Sequence, residues 1–243
     1  MIKAAQIDTC FVIRLPLTSG NGTCIRINAA ILGLMRIGIL GSGNVGGTLG
    51  TRWAQGGHNV VFSSRDPQSA QMQELVSRAG KTARSGTTAE AANASDVIVL
   101  ATPWPATKAA LASAGNLSGK VIIDATNPLL SDLSGLEVGT NTSAAESVAA
   151  WAPDAKVVKA FNTVGYAVMA NPIVGGDTVV LFYCGDDTEA KKVAAQLATE
   201  LGFNAVDAGP LKQARLLEPF ALLWISLAMK HGFGFHWGFR VAK

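Results

Sequence analysis

From residue 35 onward the chain alternates short apolar runs with stretches whose apolar residues recur at helical spacing. The runs at 36–40, 59–63, 81–85, 96–101, 121–124 and 156–160 read as strands. Helices are predicted at about 44–56, closed by Gly56-Gly57, and from Asp66-Pro67 to Gly80, with Asp66 as cap and Pro67 at the first helical position. Further helices fall at about 88–94, 105–114 and 143–151, the last after a loop at 129–141 rich in Gly, Ser and Thr. The run at 96–101 is apolar throughout, the pattern of a strand buried on both faces. This alternation predicts parallel βαβ units with right-handed crossovers, a strand order 3-2-1-4-5-6, and ligands at the carboxyl ends of the strands. Beyond them come strands near 178–184 and 203–207, a helix from Thr188 to Leu201 capped by Gly202, and a last helical region at about 211–230. Pro219 inside that region is expected to kink or split it.

The first turn carries the most chemistry. Gly41-Ser42-Gly43-Asn44-Val45-Gly46 follows the first strand and opens the first helix. In G-x-G-x-x-G the first glycine permits the turn and the second lets backbone approach a pyrophosphate. The third lets helix pack on strand, with the phosphates at the positive helix N-terminus. The expected fold is therefore α/β, a Rossmann-type doubly wound, mostly parallel sheet with a smaller C-terminal α/β extension. Residues 1–34 share no period with the rest and read as an N-terminal extension, either disordered or the product of a start assigned too early. Residues 35–170 read as the dinucleotide-binding domain and 171–243 as a smaller substrate or dimerisation region.

Composition narrows the function. The 243 residues are 49% hydrophobic and carry a net charge of +3 with no basic cluster, which gives no sign of nucleic-acid binding. The longest apolar stretch near the C-terminus, 220–229, is shorter than the ~20 residues a bilayer requires, and no membrane association is expected. Cys10, Cys24 and Cys184 make no zinc or redox spacing and suit a reducing, cytoplasmic compartment; Cys184 reads as a buried strand residue. His58 lies in a turn before a strand, where a structural role is expected, and His231 and His236 have no acidic neighbour in sequence. No metal site is expected.

The end of the second strand distinguishes the two nicotinamide coenzymes. NAD-binding folds usually place a carboxylate there, where it accepts from the ribose 2′-hydroxyl. Here the residues are Ser63-Ser64-Arg65. A carboxylate repels a 2′-phosphate, whereas hydroxyls and a guanidinium bind it. One charged hydrogen bond contributes about 1.5–3 kcal/mol, enough to favour NADP over NAD by roughly 10- to 100-fold. Three more loops are expected at the same edge: Thr102-Pro103-Trp104, Thr126-Asn127-Pro128 and Asn162-Thr163. Trp104 offers a flat surface for a nicotinamide. Thr102, Pro103, Trp104, Thr126 and Asn127 are assigned to the coenzyme, and Pro128, Asn162 and Thr163 to the second substrate. No residue is assigned as a catalytic acid or base. Tyr166 is followed by Ala170 rather than by the lysine of a Tyr-x-x-x-Lys pair. Hydride exchange with a flavin-like ring relies less on a base than alcohol oxidation does, because the protein chiefly aligns two rings and excludes water.

At these residues the chain resembles the NADPH-dependent coenzyme F420 reductases. The likeness runs from Met35 to the C-terminus through 41–46, Ser64-Arg65, 102–104, 124–128, 159–163 and 209–218. The resemblance implies NADP(H) as coenzyme, a deazaflavin (coenzyme F420), FMN or FAD as hydride partner, and a homodimer. It places Ser64 and Arg65 on the 2′-phosphate, the glycine loop on the pyrophosphate, and the loops of Trp104, Asn127 and Asn162 around the two rings. A lysine that the family carries four residues past the arginine is Ser69 here, so a second cation on the phosphate is absent. Arg215 and Glu218, spaced i and i+3, are expected to pair on the surface. Gly232-Phe233-Gly234 reads as a turn over the pocket or as a helix terminator. Two other readings stand beside the enzyme: a non-catalytic NADP-binding module, and a β-hydroxyacid dehydrogenase, whose lysine motif this chain lacks.

Overall fold

A computed structural model describes residues 33–242. Residues 1–32 lie outside the described residues, and with them the expected N-terminal extension, Cys10 and Cys24. Residues 35 onward form one compact unit.

The unit is built in chain order. The first half comprises β1 (Arg36–Leu40), α1 (Asn44–Gln55), β2 (Asn59–Ser63), α2 (Ala70–Ala79), β3 (Ala83–Gly86), α3 (Thr88–Asn93), β4 (Val97–Leu100), α4 (Trp104–Ala114), β5 (Val121–Asp124), α5 (Ala144–Trp151) and β6 (Lys156–Lys159). It continues with α6 (Tyr166–Ala170), a small hairpin of β7 (Ile173–Val174) and β8 (Asp177–Thr178), β9 (Val180–Gly185), α7 (Thr188–Leu201), β10 (Asn204–Asp207) and α8 (Ala214–Lys230). The main sheet has eight strands in the order β10-β9-β6-β5-β4-β1-β2-β3. Strands β1 to β6 all pair in parallel, in the order β3-β2-β1-β4-β5-β6 that the alternation predicts. The C-terminal strands join the same sheet: β9 runs antiparallel to β6, and β10 runs parallel to β9.

The core lies in two layers. One face carries α1, α2, α6 and α7 over Ile37, Ile39, Trp53, Phe62 and Leu197. The other carries α3, α4, α5 and α8 over Leu40, Ile98, Leu100, Leu111, Ile122 and Leu217. β4 is buried at all four residues, as a central parallel strand should be.

Two local expectations are corrected. Helix α2 begins at Ala70 behind Ser69, not at Pro67. The Asp66 carboxylate accepts from the Gln68 amide at 3.1 Å and so closes a turn ahead of the helix. Helix α8 is not split by Pro219, which sits in its second turn. There the missing N–H leaves only the carbonyl four residues back without its helical donor. After α8 the amides of Phe233 and Gly234 reach back to the carbonyls of Leu227 and Ala228, so the glycine pair terminates the helix.

Candidate active site

The glycine loop shows three distinct backbone requirements. Gly41 adopts φ +100°, and a Cβ there would stand 2.6 Å from the Ala101 carbonyl carbon. A Cβ at Gly46 would run into the Gly41 carbonyl and the Ile39 side chain, the tight helix–strand contact expected of the third glycine. At Gly43 a Cβ would meet nothing within 4 Å, so the middle of the loop faces open space. Helix α1 starts at Asn44 with no side-chain cap and no acidic residue in its first turn. Its first amides, with the positive end of the helix dipole, are free to receive an anion. A groove of about 540 Å³ starts at Ser42–Asn44 and runs between α1, α2 and α6.

The serines beside the loop divide in role. Ser63 is buried; its hydroxyl faces the Gly41 amide at 3.4 Å, and its carbonyl accepts from the Ser42 hydroxyl at 2.9 Å. Ser63 therefore braces the loop from beneath. The Ser64 hydroxyl exchanges bonds with the backbone of Asp66. Arg65 is exposed, and among the described residues no hydrogen bond or ion pair engages it. Ser69 donates its hydroxyl to the Asp66 carbonyl.

The ring-side loops emerge at the ends of β4, β5 and β6. The Thr102 hydroxyl meets that of Thr107 at 3.0 Å, and Pro103 leads into α4. Trp104 does not present a free ring: one face stacks on Trp151, centroids 5.3 Å apart and planes 25° from parallel. The Thr126 hydroxyl is likewise engaged, donating to Asp124 at 2.7 Å, and Pro128 is buried. Asn127 and Asn162 come together. Asn127 Nδ2 donates to the Asn162 carbonyl at 2.9 Å; Asn162 Nδ2 donates to Asn127 Oδ1 at 3.1 Å and to the Leu217 carbonyl on α8 at 3.1 Å. Because two of these acceptors are backbone carbonyls, both amide orientations are fixed. Asn162 Oδ1 and the Thr163 hydroxyl are buried without partners. Phe161, just before them, holds φ +65°, a left-handed conformation costly for a side chain with a Cβ.

A buried charge cluster lies below this pair, and sequence reasoning missed it. Lys159, Asp124 and Glu218 are all 0% exposed. The Lys159 ammonium donates to Asp124 Oδ2 at 2.9 Å and to the Thr126 carbonyl at 2.7 Å, and meets Glu218 Oε1 at 2.8 Å. Glu218 accepts the amides of Ala144 and Ala145 at 2.9 and 3.1 Å, which caps α5 from α8. Burial by itself would lower the Lys159 affinity for its proton, but Asp124 and Glu218 more than offset it and hold the ammonium above its ordinary value. Burial pushes the Glu218 carboxyl up, against Lys159 and the Ala144 amide. Both its oxygens accept from N–H donors, an arrangement that suits the carboxylate. Cys184, beside the cluster, is pushed up to about 12 by burial and is an inert thiol.

The expected Arg215–Glu218 surface pair does not form. Arg215 instead makes a two-pronged contact with Glu146, at 2.9 and 2.6 Å. The available signal was three charged residues embedded in apolar runs: Asp124 ending Val-Ile-Ile-Asp, Lys159 ending Lys-Val-Val-Lys, and Glu218 between apolar neighbours. His58 is structural, as expected. It is buried, its Nδ1 accepts the Met35 amide at 3.0 Å, and its Nε2 lies 2.7 Å from Glu200.

Residues 36–128 match the family described as NADP oxidoreductase, coenzyme F420-dependent. The chain is 33% identical to the F420-dependent NADP reductase of Methanothermobacter marburgensis over 81% of its own length and 94% of the relative. A solved structure from Arthrobacter sp. FB24, assigned as an F420-dependent NADP reductase, superposes with TM-score 0.78 at 31% identity, covering 86% of this chain and all of the other. The rat Metalloreductase STEAP3 is 32% identical over 77% of this chain, which spans only 36% of that protein.

Proposed function

The chain belongs to the coenzyme F420-dependent NADP oxidoreductase family, and from that premise we propose that it transfers a hydride between NADP(H) and coenzyme F420, with FMN or FAD as the lesser alternatives. It is an NADP-dependent oxidoreductase; the identity of the hydride partner is the proposal. The observation that carries the reading is the unobstructed backbone at Gly43 in front of the uncapped N-terminus of α1, a cradle shaped for a pyrophosphate. The coenzyme, when bound, supplies the hydride.

Each protein group then has a physical task. Gly41, Ser42, Gly43, Asn44, Val45 and Gly46 receive the diphosphate, with Ser63 supporting them. Ser64 and Arg65 take the 2′-phosphate. Thr102, Pro103, Trp104, Thr126 and Asn127 frame the nicotinamide end, and Pro128, Asn162 and Thr163 frame the second ring. None of these ring-side residues is titratable, and the nearby Lys159 and Asp124 are sealed from solvent. Such a site offers alignment and water exclusion rather than proton transfer, which suits exchange between two planar rings.

Following NADPH absorbance with coenzyme F420, FMN and FAD in turn tests the proposal. The expected result is turnover fastest with coenzyme F420. Tight NADPH binding with no oxidation by any of the three would replace the enzyme with a binding module.

A homodimer in the cytoplasm belongs to the same proposal. No helix among the described residues is long and apolar enough to cross a membrane. Leu216 and Leu223 are 66% and 49% exposed one heptad apart on α8, a face suited to a second copy. Sedimentation should give twice the mass of the chain, and a monomer at micromolar concentration would exclude the dimer.

A further inference from the structure

We propose that Glu218 is a positioning residue for the Asn127–Asn162 amide pair: it ties α8 to the ends of β5 and β6 so that the two ring-side loops and the Leu217 carbonyl form one rigid frame. This rests on the hydride-transfer reading above.

The connections are short and complete. Leu217, adjacent to Glu218, supplies the carbonyl that takes one of the two Asn162 side-chain N–H bonds. Lys159, which Glu218 meets at 2.8 Å, holds the Thr126 carbonyl, adjacent to Asn127. Lys159 is itself the last residue of β6 and three before Asn162. Glu218 also caps the start of α5, the helix that follows the 129–141 loop. Glu218 therefore links α8, the end of β6, the start of α5 and, through Lys159, the loop after β5. Glu218 has no direct contact with either asparagine, so its influence runs through Lys159 and through its own backbone. Lys159 has three hydrogen-bonding protons and three acceptors, which leaves it no alternative arrangement. Side-chain networks of this kind polarise one another and specify a single geometry when every member is satisfied.

Glu218→Gln keeps the shape but places an amide N–H₂ against N–H donors, so one link must break. The test uses the full chain, ¹⁵N-labelled, with side-chain amide hydrogen exchange of Asn127 and Asn162 read by NMR. In Glu218→Gln the Asn162 side-chain exchange should accelerate by about tenfold or more, while backbone amides in β1 and β2 keep their protection. The kcat with NADPH and coenzyme F420 should fall about 10- to 100-fold, with the preference for NADPH over NADH unchanged. On an Asn162→Ala background, Glu218→Gln should lower kcat little further, because both act on one element. Unchanged Asn162 exchange, uniform acceleration of all slow amides, or fully additive losses in kcat would overturn the proposal. If Glu218→Gln does not fold, the neutral triple variant Asp124→Asn, Lys159→Met, Glu218→Gln is judged by the same readouts and the same criteria. The exchange measurement needs no hydride acceptor. A wild-type chain that oxidises no NADPH would therefore reject hydride transfer, while the amide readout still decides the role of Glu218.

Discussion

Lys159→Met is expected to destabilise the protein by about 3–5 kcal/mol, because it leaves two buried carboxylates facing each other without a cation. The methionine preserves most of the volume, so the loss reports the charge and its bonds rather than a cavity. For a chain of this size each kcal/mol shifts Tm by about 2–4 °C, which predicts a fall of roughly 6–20 °C. The Arg215–Glu146 pair gives the contrast. Its side chains are 28% and 26% exposed, and removing it should cost no more than about 1 kcal/mol. Urea unfolding of the two variants settles the ranking. A Lys159→Met loss below about 1 kcal/mol, with the m-value unchanged, would mean that the cluster behaves like a surface pair. Neutralising all three members together should cost less than removing Lys159 alone, since no unpaired charge remains.

Arg65→Ala is expected to raise the KM for NADPH by about 10- to 100-fold and to leave that for NADH almost unchanged. Arg65 is exposed two residues past β2 and unengaged by the described residues, so its loss should not unfold the chain. Ser69, four residues on, adds no second cation to Arg65 there, so on the proposed reading the guanidinium would meet the phosphate charge without its help. The effect should shrink with added salt, because a surface charge contact is screened over about 10 Å at 0.1 M ionic strength. Equal rises in both KM values would assign Arg65 to a part of the coenzyme that NADH shares.

The six parallel strands and α1 were legible because an apolar run followed by a helical period is a local signal that burial on two faces enforces. The orientation of β9 was not legible, since period and composition are the same for a strand running either way. The hairpin β7–β8 and the five-residue α6 are too short to leave a period. The start of α2 was misplaced because Asp-Pro serves equally as a helix opening and as a turn; the bond from Gln68 to Asp66 decided it.

At the site, the backbone requirements at Gly41 and Gly46 followed from spacing alone. Trp104 and Glu218 did not, because their partners, Trp151 and Lys159, lie 47 and 59 residues away in sequence. Spacing i and i+3 brought Arg215 and Glu218 near each other on one helix. The helix turned the glutamate inward to a buried ammonium and left the arginine at the rim with Glu146. For Glu218, burial beside a fully desolvated cation outweighs a half-exposed local pair.

The joining of β9 to β6 in one continuous sheet has a consequence for modularity. A fragment ending at Ala170 would retain every glycine of the G-x-G-x-x-G loop, yet β6 would become a raw sheet edge and Lys159 would lose one of its two counter-ions. The first half is thus not a transplantable cassette: its final strand is finished by β9, about 25 positions later, and by Glu218, about 60 positions later, and the start of α5 by the same glutamate. Grafting experiments, and comparisons with proteins that carry this fold as one segment among several, should take the cut after α8 rather than after the sixth parallel strand.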